Sequence, residues 1–177
     1  MNNKIKQMVY AGLLTAFAII IPIQFGFLKI MIPPFTATLA AHVPMMMAML
    51  ISPAVAIVVG IGSTIGFLIS GMPMPVVARA ATHIVVGYIG AKIIIRDQNY
   101  IKAAIITAPI HAILEMIVVI PFIGLNLYQL LIITAVGGML HHCVDSVIAY
   151  VLINLVAKTR KKDIYTVFGE FITQEVI

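Results

Sequence analysis

Apolar residues in this chain fall in long blocks rather than at the spacing of an amphipathic helix. Polar or proline-rich breaks divide the chain into six blocks, most of them close to the length that crosses a bilayer as a helix. These predicted spans cover about 8–21, 35–51, 53–69, 76–95, 101–120 and 139–157. The pattern predicts an all-α integral membrane protein with six transmembrane helices, built as a single domain over residues 1–177.

Prolines and polar residues set the predicted boundaries. Pro22 is expected to end the first helix, so Gln24–Pro34 becomes a long first external loop. Pro44 predicts a kink inside the second span, and Ser52 followed by proline is typical of a helix start. Pro121 is expected to close the fifth span.

The apolar stretch from 122 to 157 is too long for one crossing, since a helix of that length would measure about 54 Å. The bilayer core is only about 30 Å thick. Asn126, Gln129 and Gly137 interrupt this stretch. We therefore predict a surface or re-entrant segment up to residue 138, followed by the sixth span.

Composition and charge give the predicted orientation. Hydrophobic residues make up 62% and charged residues 10% of the 177 positions. With six spans, the basic residues near spans 1, 4, 5 and 6 fall on one side and Lys29 on the other, so the positive-inside rule places both termini in the cytoplasm. Residues 158–177 form a cytoplasmic tail. The net charge of +5 gives no reason to expect a nucleic-acid partner, and we predict a multi-pass protein of the cell membrane.

Several ionisable residues lie inside the predicted spans, where an unpaired charge costs at least about 2.5 kcal/mol. Arg79 and His83 are four residues apart, and so are His111 and Glu115, which places each pair on one helical face. All the candidates except His111 lie in the outer half of a span, which predicts a pocket open to the outside. The candidate substrate-binding residues are His42, Arg79, His83, Glu115, His141, His142 and Asp145.

Each candidate also has a simpler explanation. Arg79 could serve only to pair with Glu115 or Asp145, and His42 could bind a backbone carbonyl freed by the Pro44 kink. His141 and His142 point about 100° apart on a helix, so at most one of them would face a shared ligand. The histidines and carboxylates could hold zinc or nickel, but the arginine would repel a dication, so we expect no metal and no cofactor.

Four stretches of the chain resemble the substrate-binding S-components of energy-coupling factor (ECF) vitamin transporters. They are PPFTATLAAHVP at 33–44, MLISPAVA at 49–56, ARAATH at 78–83 and the pair His141-His142. Within that family they look most like the niacin-specific members. The resemblance implies a transport subunit without enzymatic activity, whose partners are a transmembrane coupling subunit and two ATPase subunits.

The family's first helix commonly carries an AxxxA motif that docks on the coupling subunit, and Gly12 to Ala16 is the nearest match here. Niacin suits the predicted site, because Arg79 could hold the carboxylate of nicotinate by a bidentate contact. A histidine or Asp145 could contact the pyridine nitrogen. The alternative is a membrane enzyme or a metal-binding or transport protein that uses the His/Glu/Asp cluster.

Overall fold

A computed structural model of the chain describes residues 3–33, 35–169 and 171, which are mostly helical. The long helices are α1 (Asn3–Gln24), α3 (Pro53–Ile69), α4 (Met74–Asp97), α5 (Tyr100–Ile123) and α6 (Gly137–Arg160), and α2 (Val43–Ala48) is short. A 3-10 turn (Gly26–Leu28) leads into strand β1 (Lys29–Ile32), which pairs antiparallel with β2 (Phe35–Thr38). A π-helix (Tyr128–Val136) runs directly into α6. Pro34, the predicted end of the first loop, and 170 and 172–177 of the predicted tail lie outside the described residues.

The outer surface of the bundle is apolar, as expected of a protein that faces lipid. Leu13 and Phe17 on α1 and Val147 and Leu155 on α6 are half-exposed or more. Among the described residues, α1, α4, α5 and the continuous helix over 128–160 are long and apolar enough to cross a membrane, and α3 is a shorter apolar helix. The structure is thus a helical bundle with its polar groups inside.

Small residues let α1, α3 and α4 approach closely. A Cβ atom added at Gly66 would lie 2.7 Å from the Cα of Ile19 on α1. One added at Gly60 would lie 2.8 Å from the Cα of Ile84 on α4. Close backbone contact through small residues is how membrane helices gain van der Waals attraction without a hydrophobic driving force, so these glycines act as packing residues.

The second predicted helix, over 35–51, is not observed. Its first residues form β2, a turn follows, and only Val43–Ala48 is helical. Thr36 and Thr38 are β-branched and suit a strand, and Ala40 adopts a left-handed backbone conformation (φ 68°) that no helix continues through. The prediction of a spanning helix over 35–51 is therefore wrong, although the fold as a whole is mostly helical, as predicted.

This irregular segment nevertheless runs along the full length of α1. At one end the amide of Leu39 donates to the carbonyl of Leu28, just beyond the end of α1 (3.2 Å). At the other end Ser52 Oγ donates to Oε1 of Gln7, near the start of α1 (3.2 Å). Non-helical backbone is tolerated at membrane depth only where protein surrounds it, and residues 41–46 and 48–51 are indeed all buried. The segment forms the centre of the bundle.

Two helix ends differ from the prediction for a simple reason. Pro22 and Pro121 lie within the last turns of α1 and α5, where a missing N–H removes only one helical bond, so the helices continue to Gln24 and Ile123. The predicted surface or re-entrant segment before the sixth span contains the π-helix. Ser52 caps α3 as predicted, since its Oγ accepts from the amide of Val55 (3.3 Å).

The described part of the tail packs against the end of the bundle where α6 finishes. The Phe168 ring stands edge-on to Tyr10 of α1, with centroids 5.3 Å apart, and Arg160 donates to the hydroxyl of Tyr10 (2.7 Å). Val167 and Phe168 are buried. These residues extend the hydrophobic core beyond α6.

Candidate functional site

All five histidines of the chain meet in the interior of the bundle. His42, on the irregular central segment, lies in the middle of the group. Its ring centroid is 4.6 Å from that of His83, 4.8 Å from His111, 4.4 Å from His141 and 5.8 Å from His142. Four separate elements supply these rings, so the cluster is a product of the tertiary fold rather than of a local motif.

Arg79 lies beside the histidines with its guanidinium buried and paired. Its Nε donates to Oε1 of Glu115 (3.0 Å), and its Nη2 lies 2.9 Å from the same oxygen. Its Nη1 donates to the carbonyl of Thr36 (3.3 Å), and the ring of Phe35 lies 4.7 Å from its Cζ. A guanidinium has five N–H donors. The described residues take three of them, which leaves one on each Nη for a ligand.

Only one of the two carboxylate oxygens of Glu115 has a hydrogen-bond partner among the described residues. Oε1 binds Arg79, but Oε2 is buried and has no hydrogen-bond partner among the described residues. A Cβ atom at Gly138 would collide with Oε2, so the absence of a side chain at Gly138 makes room for this carboxylate. A buried carboxylate oxygen without a partner is costly, and it indicates a position where a ligand or an ion can bind.

Asp145, by contrast, has protein partners on both of its oxygens. Oδ1 accepts from the amide of Ala40 (2.8 Å), and Oδ2 accepts from the amide of His42 (3.0 Å). Oδ2 also lies 2.8 Å from Nδ1 of His42 and 3.2 Å from Nε2 of His141. The predicted contact between Asp145 and a pyridine nitrogen therefore has no support in this geometry. Asp145 holds the 40–42 turn in place, which also excludes the suggestion that His42 binds a carbonyl freed by a proline kink.

His83 and His111 each have one ring nitrogen bound to a protein partner, and His142 has both. Nδ1 of His83 bonds to Ser63 Oγ (2.9 Å). Nδ1 of His111 lies 3.3 Å from Nδ1 of His142, whose Nε2 bonds to Thr107 Oγ1 (3.1 Å). Nε2 of His111 is buried without a hydrogen-bond partner among the described residues. His142 is fully engaged behind the site, whereas His83 and His111 each keep Nε2 available.

A small cavity lies between these groups and the β2 strand. Its volume is about 20 Å³, which is enough for about one water molecule. The walls combine charged, imidazole and apolar groups: Thr36, Thr38, Ala41, His42, Phe67, Val76, Arg79, Ala80, His83, Glu115 and His141. A ligand with an aromatic ring would have to push some of these groups apart.

The structure thus brings together all seven predicted site residues. Five of them line the cavity, while His142 and Asp145 lie behind it. The expectation that only one of the adjacent histidines faces the ligand agrees with this arrangement. Sequence reasoning missed Phe35, the Thr36 carbonyl and Ser63. Phe35 and Thr36 fall in the predicted second helix, and for Ser63 the only signal was that a hydroxyl at membrane depth needs a polar partner.

Gly12 and Ala16, the predicted docking residues, are both exposed on the outside of α1. Among the described residues, apart from its chain neighbours and its own helix backbone, no atom lies within 4 Å of a Cβ built at Gly12. Packing inside this protein therefore does not explain the pair. The two small residues face away from the bundle.

The fold and the site together define a multi-pass membrane protein with an ionisable ligand site inside its helical bundle. The chain is 34% identical to the niacin transporter NiaX of Lactococcus lactis subsp. cremoris (strain MG1363), over 92% of this chain and 79% of the relative. It therefore belongs to the same family as that transporter, which confirms the resemblance to the niacin-specific S-components of ECF transporters. No family model and no solved structure matches the chain.

Proposed function

We propose that this chain is the substrate-binding membrane subunit of an ECF-type transporter and that it takes up niacin as nicotinate. The main support for this proposal is the 34% sequence identity to a niacin transporter over 92% of the chain. The interior site supplies the matching chemistry, because a buried arginine beside an aromatic ring suits a planar anion.

Nicotinate would bind with its carboxylate on the Arg79 guanidinium. The two N–H donors still available, one on each Nη, suit the two oxygens of a carboxylate. Phe35 already stacks near the guanidinium at 4.7 Å and gives the pyridine ring an apolar neighbour. Nicotinamide has a neutral amide in place of the carboxylate and would form weaker bonds there.

A histidine would recognise the pyridine nitrogen. His42 and His83 line the cavity, and each uses Nδ1 for a protein partner, which leaves Nε2 facing a ligand. Arg79 and His83 lie four residues apart on α4, so their side chains begin about 6 Å apart. That separation is of the size needed to span the carboxylate and the ring nitrogen of one nicotinate.

Binding requires the cavity to open, since its volume of about 20 Å³ is far below that of ordinary ligand pockets. The hairpin formed by β1 and β2 is the element that can open it. Strand β2 supplies Thr36 and Thr38 to the cavity wall, whereas β1 is largely exposed and contributes nothing to that wall. We therefore propose that the first loop and this hairpin act as the lid.

The proposed orientation places both termini and most basic residues in the cytoplasm, with six crossings that include the irregular 35–51 segment. On this orientation the cavity lies toward the outside. The exposed Gly12 and Ala16 would form part of the docking face for the transmembrane coupling subunit, which in turn works with two ATPase subunits. Energy for uptake would come from these partners.

Uptake of labelled nicotinate into cells that lack their own niacin transporter tests this function. Cells that express the chain together with a coupling subunit and the ATPases should accumulate unmodified nicotinate. Cells without the ATPases should not. Mass spectrometry of compounds released from the purified chain should identify niacin itself. Conversion of niacin by the isolated chain would instead support the alternative of a membrane enzyme.

A further inference from the structure

Three buried histidines from three different elements converge on one point. His42 comes from the central segment, His83 from α4 and His111 from α5, and one ring nitrogen of each lies within 4.8 Å of those of the other two. We propose that these three histidines bind a divalent transition-metal ion of the zinc class, and that this ion forms part of the ligand site. Zinc binds imidazole nitrogen at about 2.0–2.1 Å, so each ring would move inward by about 1 Å or less.

The outer partners of these rings support a metal site. Histidines that bind metals nearly always use their second nitrogen for a carboxylate, carbonyl or other oriented partner. Nδ1 of His42 is 2.8 Å from Asp145 Oδ2, and Nδ1 of His83 is 2.9 Å from Ser63 Oγ. Nδ1 of His111 is 3.3 Å from a nitrogen of a fourth histidine. In all three rings, Nε2 is the nitrogen left for a ligand.

Four buried side-chain polar atoms have no hydrogen-bond partner among the described residues: Oγ1 of Thr15, Oγ1 of Thr36, Nε2 of His111 and Oε2 of Glu115. Nε2 of His111 belongs to one of the three converging rings. It is also 3.5 Å from Oε1 of Glu115. A metal ion would satisfy the ring nitrogen of His111, and a water molecule or a bound ligand could take the fourth position of a tetrahedral site. A second set, His42, His141 and Asp145, is also close enough, but its nitrogens are already bonded to the carboxylate.

The charges of the cluster favour a cation as well. Arg79 carries one positive charge, and Glu115 and Asp145 carry one negative charge each, so the cluster has a formal charge of −1 with neutral histidines. Nicotinate alone would bring that to −2 inside the membrane, which is costly. With a dication the cluster becomes +1, and nicotinate then makes it neutral. Glu115, 2.9 Å from Arg79, offsets the repulsion that the arginine would exert on a metal.

With Nε2 of His42 and His83 on the metal ion, the pyridine nitrogen of nicotinate would bind the ion in place of a histidine, so this effect on ligand binding rests on the proposed function. The metal content of the protein, purified with a tag free of histidine and measured by mass spectrometry, tests the site itself. Wild-type protein loaded with zinc should keep about one ion per chain. His83→Gln and His111→Gln should lower this at least about tenfold. Cobalt in the same site should give the strong visible absorption of a tetrahedral ion.

Ser63→Ala provides a milder variant that keeps every metal ligand. Loss of the Ser63 hydroxyl should weaken zinc binding about 10–100-fold, as removal of an outer partner does elsewhere. Thr64→Ala is the matched control, because the Thr64 hydroxyl bonds to the carbonyl of Gly60 on its own helix. Equal zinc affinity in the two variants would contradict the proposed role of Ser63.

Nicotinate titrations distinguish failure of the metal site from failure of the function. Removal of zinc by a chelator should weaken nicotinate binding at least about tenfold, and added zinc should restore it. Equal zinc content in wild type and His111→Gln, or full nicotinate binding by chelated protein, would overturn the metal site and leave the niacin function standing. No nicotinate binding by either form would instead overturn the niacin function.

Discussion

Asp145→Asn should destabilise the protein strongly, because Asp145 is the acceptor that holds the central turn. Two backbone amides and two imidazole nitrogens lie within hydrogen-bond distance of its two oxygens, at 2.8–3.2 Å. An asparagine has one carbonyl oxygen and one amino group. Whichever way the side chain points, the amino group must face a donor.

The magnitude follows from the bonds lost. At least one charge-assisted hydrogen bond disappears, worth about 1.5–3 kcal/mol, and a buried donor is left unpaired at about 1–3 kcal/mol. We expect a loss of at least about 2.5 kcal/mol, or a Tm lower by about 5–10 °C for a chain of this size.

Thermal unfolding of the purified protein in detergent measures this effect. Asp97→Asn is the matched control: Asp97 pairs with Arg96 and Lys102 at an accessible helix end (both 2.8 Å), where ion pairs contribute little. A fall in Tm for Asp145→Asn no larger than that for Asp97→Asn would refute the assignment of Asp145 as the group that holds the turn.

Three further predictions concern the cavity, the docking face and the lid. Gly138→Ala should weaken nicotinate binding at least about tenfold, since the new methyl collides with Glu115 Oε2; unchanged affinity by calorimetry would show that this carboxylate moves freely. Ala16→Leu should abolish uptake in cells while binding by the purified protein persists, because Ala16 is exposed; intact uptake would remove Ala16 from the docking face. A cross-link between the first loop, 24–34, and the turn at 70–75 should block exchange of bound nicotinate, and free exchange after confirmed cross-linking would exclude the lid.

The long helices could be predicted because membrane-spanning helices need continuous apolar sequence. α3 begins at Pro53 and ends at Ile69, as predicted, since a serine cap, a proline and an apolar run are all local signals. The polar residues of the spans were also informative, because charged and imidazole groups at membrane depth must face the protein interior. The position of each of these residues within its span predicted that they would lie at a similar depth in the membrane.

The central segment could not be predicted, because its conformation depends on distant residues. Residues 35–51 are as apolar as a spanning helix, and nothing local reveals that the turn at 40–42 is held by a carboxylate more than 100 positions away. The role of Asp145 was missed for the same reason. The pairing of Arg79 was foreseen only as one of two alternatives, and the fold selects Glu115.

The metal site shows the limit of spacing arguments. No pair among these three histidines has the short spacing of a local metal motif, so their spacing gave no indication of a metal site. His42, His83 and His111 lie on three separate elements, and only the tertiary fold brings their rings together. A site assembled from three elements has no sequence signature of its own.

Calorimetric titration of nicotinate into wild type, Arg79→Lys and Arg79→Ala tests the central claim most directly. Lysine keeps the charge but loses the planar pair of donors, so affinity should fall at least about 30-fold, or about 2 kcal/mol, and alanine should abolish binding. Arg96→Lys on the same helix is the control, because that side chain is exposed and pairs with Asp97. Near-wild-type affinity for nicotinate in folded Arg79→Ala would contradict the account.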